Sequence, residues 1–107
     1  NVEIVEAPLA EGRADAAAWQ ECLGAPGTAA AAVFQSPNFL GSLEEGAALA
    51  EAAHRAGALA VQVFNPIALG RLAAPGQWGV DIAVGEGQPL GLGLGAGGAS
   101  LGLFAAQ

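Results

Sequence analysis

Three short apolar runs, each followed by polar or turn-forming residues, constrain the fold more than any other feature of the sequence. They occupy residues 29–34, 58–64 and 80–84. The run 29–34 is unbroken, which is typical of a strand buried on both faces, as in the parallel sheets of α/β proteins. Parallel strands place their carboxyl ends at one edge of the sheet, where open α/β folds bind ligands. We therefore expect functional residues directly after these runs.

A first helix is predicted before the first of these runs. Asp15 is a suitable N-cap for a helix over residues 16–23. Trp19, Cys22 and Leu23 follow at helical spacing, which places them on one buried face. Cys22 has no basic neighbour that would activate its thiol, so we interpret it as a small core residue.

A second helix is predicted between the first two runs. Ser42 and Glu45 match the S-x-x-E capping box, and the helix then extends to about Ala56. Gly57 is the expected C-terminal stop. His54, the only histidine, lies in the last turn, where we expect a partly exposed surface residue and no metal ligand.

Two further strands are predicted near the ends of the chain, at residues 2–6 and 101–105. The connection 85–100 has many glycines and no helical period, so the last strand returns antiparallel to its neighbour. The predicted fold class is α/β, with a mostly parallel sheet, helical crossovers and one antiparallel strand. We expect the 107 residues to form a single partial domain, because the chain has no initiating Met and ends just after a predicted strand.

The charge balance excludes several classes of function. The chain has ten carboxylate side chains and only three basic residues, all arginine, so its net charge is −7. Such an acidic chain disfavours binding to nucleic acid. No apolar run approaches the roughly 20 residues of a membrane span. A single cysteine excludes an internal disulfide and favours a cytoplasmic setting. The absence of lysine excludes an internal Schiff base.

The glycine-rich segment contains two motifs in the wrong context. Residues 93–98 match G-x-G-x-x-G, but a strand, and no helix, is predicted to follow. Residues 98–102 match G-x-S-x-G, but no acid or histidine follows Ser100. Glu86 and Asp81 lie at opposite ends of a predicted strand and cannot act as paired carboxylates. A nucleotide- or small-ligand-binding module that uses Gly91–Gly98 remains the alternative function.

Several segments together resemble one enzyme family. They are Gln35-Ser36-Pro37-Asn38-Phe39-Leu40-Gly41, residues 54–58, residues 65–69, Pro75-Gly76-Gln77-Trp78-Gly79-Val80-Asp81-Ile82, and Gly85-Glu86-Gly87-Gln88-Pro89-Leu90-Gly91. In this order they are similar to the glycine cleavage system P-protein, and most of all to subunit 1 of its two-subunit form. The resemblance covers at least residues 31–105.

This resemblance implies the central piece of a fold-type I large domain and a subunit of a pyridoxal-phosphate-dependent glycine decarboxylase. The family decarboxylates glycine oxidatively and passes the aminomethyl group to a lipoyl H-protein. It places the cofactor lysine in subunit 2, whereas Gln88 stands near that position here. The aspartate that pairs with the cofactor ring would fall at 63–65, where no carboxylate occurs. We therefore expect no catalytic, cofactor-binding or metal-ligating residue in this chain and predict a non-catalytic partner of subunit 2.

Overall fold

The computed structural model describes residues 2–97 and 100–107, and these form a four-stranded sheet, a small hairpin and two α-helices. The hairpin consists of β1 (Leu9–Ala10) and β2 (Arg13–Ala14). The larger elements are α1 (Ala16–Leu23), β3 (Ala31–Gln35), α2 (Gly46–Arg55), β4 (Leu59–Phe64), β5 (Ile82–Glu86) and β6 (Gly102–Ala106). Short 3₁₀ turns lie at Pro66–Gly70, Pro75–Trp78 and Gln88–Leu90.

The large sheet has the strand order β3-β4-β5-β6. The first three strands are parallel, with Ala31 opposite Leu59 and Val61 opposite Ile82. β6 runs antiparallel to β5 and places Ala106 opposite Ile82. The predicted fold class is therefore confirmed, including the antiparallel last strand. The crossover from β4 to β5 contains two 3₁₀ turns in place of a full helix.

Small side chains bring α2 close to the sheet. Ala53 of α2 and Ala60 of β4 are both 0% exposed, and Ala50 is also buried. Because alanine adds only a methyl group, the two backbones approach closely and the contact leaves no room for a larger side chain. Leu49, Ala53 and Ala56 lie on the inner face, as their spacing predicted.

Trp19 joins the two helices to the first strand of the sheet. Its ring meets Phe34 of β3 edge to face, with the centroids 6.2 Å apart. Its indole N–H donates to the Leu49 carbonyl of α2 at 3.3 Å. Leu23 is buried on the same face of α1, whereas Cys22 is only half-buried. The predicted buried face of α1 is thus confirmed for its two large side chains.

The second face of the sheet is open among the described residues. Ala32 and Phe34 are buried beneath the helices, while Val33 between them is 58% exposed. The prediction that this strand is buried on both faces is therefore wrong for this chain. The physical reason is that both helices pack on the same side. Leu59 and Phe104 are exposed as well.

Two local predictions are also wrong. Residues 2–6 form no strand, and Val2 and Ile4 are almost fully exposed; strand propensity alone does not order a segment that has no pairing partner. The expected capping box does not form either. α2 begins at Gly46, and its N-cap Glu45 makes no side-chain cap bond. Ser42 is held instead by Asn38, whose side-chain oxygen accepts the Ser42 N–H at 3.0 Å.

Asp81, directly before β5, contacts α2, β4 and the end of β6 at the amino edge of the sheet. Its Oδ2 accepts the Ala60 N–H at 2.7 Å and contacts His54 Nε2 of α2 at 2.8 Å. Its carbonyl accepts the Gln107 N–H at 3.0 Å. The Ala60 hydrogen bond, and then the His54 bond, hold the pKa of the Asp81 carboxyl below its usual range. Asp81 is thus a structural junction.

We expect Asp81→Asn to destabilise the protein by about 1 kcal/mol near neutral pH, because the charged acceptor is lost. A carboxyl group with a lower pKa in the folded state stabilises the fold above its unfolded pKa. This contribution disappears as the pH falls through the folded pKa. The melting temperature of Asp81→Asn should therefore lie furthest below that of wild type above about pH 5, and the two values should converge toward pH 3.

The matched control is Asp15→Asn. Asp15 caps α1 by accepting the Ala18 N–H at 2.8 Å, and an asparagine oxygen can do the same. The melting temperature of this variant should stay close to that of wild type across the same pH range. An Asp81→Asn difference that does not change between pH 7 and pH 3 would contradict the role of the ionised carboxylate.

Gly46 starts α2 directly beneath the Trp78 ring. A Cβ atom at position 46 would overlap the Trp78 side chain. Alanine normally stabilises a helix by about 1 kcal/mol relative to glycine. We expect the opposite sign here, with Gly46→Ala destabilising by about 1–3 kcal/mol in chemical unfolding, because the ring must move. Gly70→Ala is the control, since a Cβ there meets nothing within 4 Å; equal effects would contradict the packing argument.

Candidate functional site

The carboxyl ends of three parallel strands meet at one edge of the sheet. β3 is followed by Ser36 and Pro37, β4 by Asn65, and β5 by Gly87 and Gln88. The 3₁₀ turns that follow β4 and β5 contact each other. The structure therefore brings Gln88 to the edge where the sequence predicted it.

A buried carboxylate organises the segment after β3. Glu44 is buried; its Oε1 accepts from Asn38 Nδ2 at 2.7 Å, and its Oε2 accepts from the Ala14 N–H at 2.9 Å. Its own N–H donates to the Ser36 hydroxyl at 3.2 Å. These bonds attach the β1–β2 hairpin to the carboxyl edge. Sequence reasoning missed Glu44, because its partner Ala14 lies 30 residues away.

The segment after β4 is closed by Asn65. Its side-chain oxygen accepts the Ile67 N–H at 3.0 Å and caps the 3₁₀ turn. Gln62 of β4 is 2% exposed, and its Nε2 donates to the Ser36 carbonyl at 3.4 Å. Its Oε1 is buried and accepts no bond from the described residues. Asn65 therefore caps the turn after β4, and Gln62 binds the segment after β3 through its amide nitrogen.

The segment after β5 is held by Glu86. Its Oε1 accepts the Gln88 N–H at 2.9 Å and the Leu101 N–H at 3.0 Å. Gly87 also donates its N–H to the Leu101 carbonyl at 2.6 Å. A Cβ at position 87 would lie 2.7 Å from Leu101 Cδ2, so only glycine fits this approach. One carboxylate thus closes both ends of the glycine-rich loop.

The two motifs of the glycine-rich loop lack the required context. Gly98, which belongs to both motifs, and Ala99, which belongs to the second, lie outside the described residues. Within the described part, β6 follows Gly93–Gly97, whereas a dinucleotide fingerprint needs a helix there. Ser100 likewise precedes a strand, so the strand-to-helix turn of a nucleophile elbow does not form.

His54 and Asp81 lie at the opposite, amino edge of the sheet. The His54 side chain is 45% exposed, as predicted, and its contact with Asp81 was not foreseen. Within residues 2–97 and 100–107, no group of three His, Cys, Asp or Glu side chains could hold a metal ion.

The resemblance implies a pyridoxal phosphate site at this edge. Covalent attachment needs a lysine amine, and these 107 residues contain none. The resemblance implies that the partner of the ring nitrogen would lie at Val63, Phe64 or Asn65, and none of these is a carboxylate. The side-chain oxygen of Asn65 already caps its own turn. The residues present do not fit the covalently bound cofactor.

Comparison with known proteins gives one consistent result. The sequence model of the family described as "Glycine cleavage system P-protein" matches residues 1–107. The probable glycine dehydrogenase (decarboxylating) subunit 1 of Moorella thermoacetica is 46% identical over 107 residues, which are 100% of this chain and 24% of that protein. The corresponding protein of Chlorobium phaeobacteroides is 57% identical over 75 residues, or 70% of this chain and 17% of its own length.

A solved structure shows the same likeness in three dimensions. The crystal structure of a glycine decarboxylase (P-protein) of the glycine cleavage system, in inhibitor-bound form, is 45% identical with a TM-score of 0.80. The match covers 97% of this chain and 22% of that one. The chain thus spans about a quarter of the length of its relatives. No helix among the described residues is long and apolar enough to cross a membrane.

We expect Glu44→Gln to destabilise the fold by about 1–3 kcal/mol in chemical unfolding. The amide nitrogen of glutamine would face a donor, either Asn38 Nδ2 or the Ala14 N–H. Hydrogen exchange should accelerate at the Ala14 amide, because the hairpin loses its attachment. The neighbouring Glu45→Gln is the control, since Glu45 is exposed and its bond to Arg13 is 3.5 Å long. Equal effects of both variants would contradict this role of Glu44.

Proposed function

The chain belongs to the glycine cleavage system P-protein family, and we propose that it is part of a non-catalytic subunit 1 of a glycine decarboxylase. In this proposal a second, lysine-bearing subunit holds pyridoxal phosphate. The assembled enzyme decarboxylates glycine oxidatively and passes the aminomethyl group to a lipoyl H-protein. Subunit 1 completes the shape of the assembly without forming a bond to the cofactor.

One observation carries this proposal. The loop after β5 occupies the edge where an active site would be built, yet it contains Gln88 and no lysine. An amide nitrogen is not nucleophilic enough to form an imine with an aldehyde. Glu86, the one carboxylate of this loop, has its Oε1 engaged by two backbone N–H groups. Gln88 therefore marks a cofactor loop that has lost its chemistry.

The names of the relatives support the other part of the proposal. Proteins that match 98% to 100% of this chain are each described as subunit 1 of a glycine dehydrogenase (decarboxylating). A numbered subunit implies at least one further subunit in the assembly. We infer that this further subunit is the partner that carries the lysine, and we place the complex in the cytoplasm.

The proposal predicts where the cofactor can be fixed covalently. Full-length subunit 1 and its second subunit are mixed with pyridoxal phosphate, reduced with borohydride, separated and digested for mass spectrometry. The stoichiometric reduced adduct should lie on one lysine of the second subunit and not on subunit 1, because borohydride fixes an imine and the loop after β5 in subunit 1 contains Gln88 and no lysine. Release of CO₂ from glycine should require both subunits and lipoylated H-protein.

The control is a second subunit in which the labelled lysine is replaced by alanine; its adduct should disappear while both subunits still associate. A stoichiometric adduct on subunit 1 alone would overturn the non-catalytic assignment.

A further inference from the structure

We draw no further inference here: the strongest candidate, the buried polar cluster of Ser36, Glu44 and Gln62 near the carboxyl edge of the sheet, carries nothing, because nothing in the described part of the chain shows what would donate to its one unpaired oxygen, Gln62 Oε1.

Discussion

The close contact between α2 and β4 is the interaction on which the rest of the structure depends. Ala53 and Ala60 belong to one buried core and neither is exposed, and the helix that carries Ala53 packs on the strand that carries Ala60. This contact sets the position of both helix ends. Gly46 lies under the Trp78 ring at one end, and His54 reaches Asp81 at the other. A large share of alanine and glycine is the composition that such close packing requires.

The acidic side chains near the carboxyl edge hold backbone in place. Glu44 accepts from the hairpin and from Asn38, and Glu86 accepts from both ends of the last loop. A carboxylate is well suited to this because its two oxygens accept several N–H bonds. The described loops at this edge are therefore well defined, and they contain no lysine. This arrangement supports our proposal of a subunit that shapes a site whose chemistry belongs to another chain.

The predictions of helices and strands were confirmed where they depended on residues close together in the sequence. Asp15 caps α1 as expected, and the apolar runs became β3, β4 and β5 with shifts of one or two residues at their ends. The Ser42–Glu45 capping box failed because Asn38 takes the Ser42 N–H, a competition that the four-residue motif does not contain. Residues 2–6 have strand composition but no partner, and pairing decides whether a strand forms. The position of Gln88 at the carboxyl edge was predictable, because it follows from strand order alone.

By itself, the sequence determined the α/β class, the antiparallel last strand and a lysine-free loop after β5. These depend on periodicity, on the missing helical pattern in that loop and on residue identity, all of which are local. Only the tertiary structure decided which face of the sheet is covered and which side chains bind the loops. The His54–Asp81 and Ala14–Glu44 bonds join residues 27 and 30 positions apart. Such bonds form because packing brings distant segments together, and a short sequence pattern cannot predict which distant segments will meet.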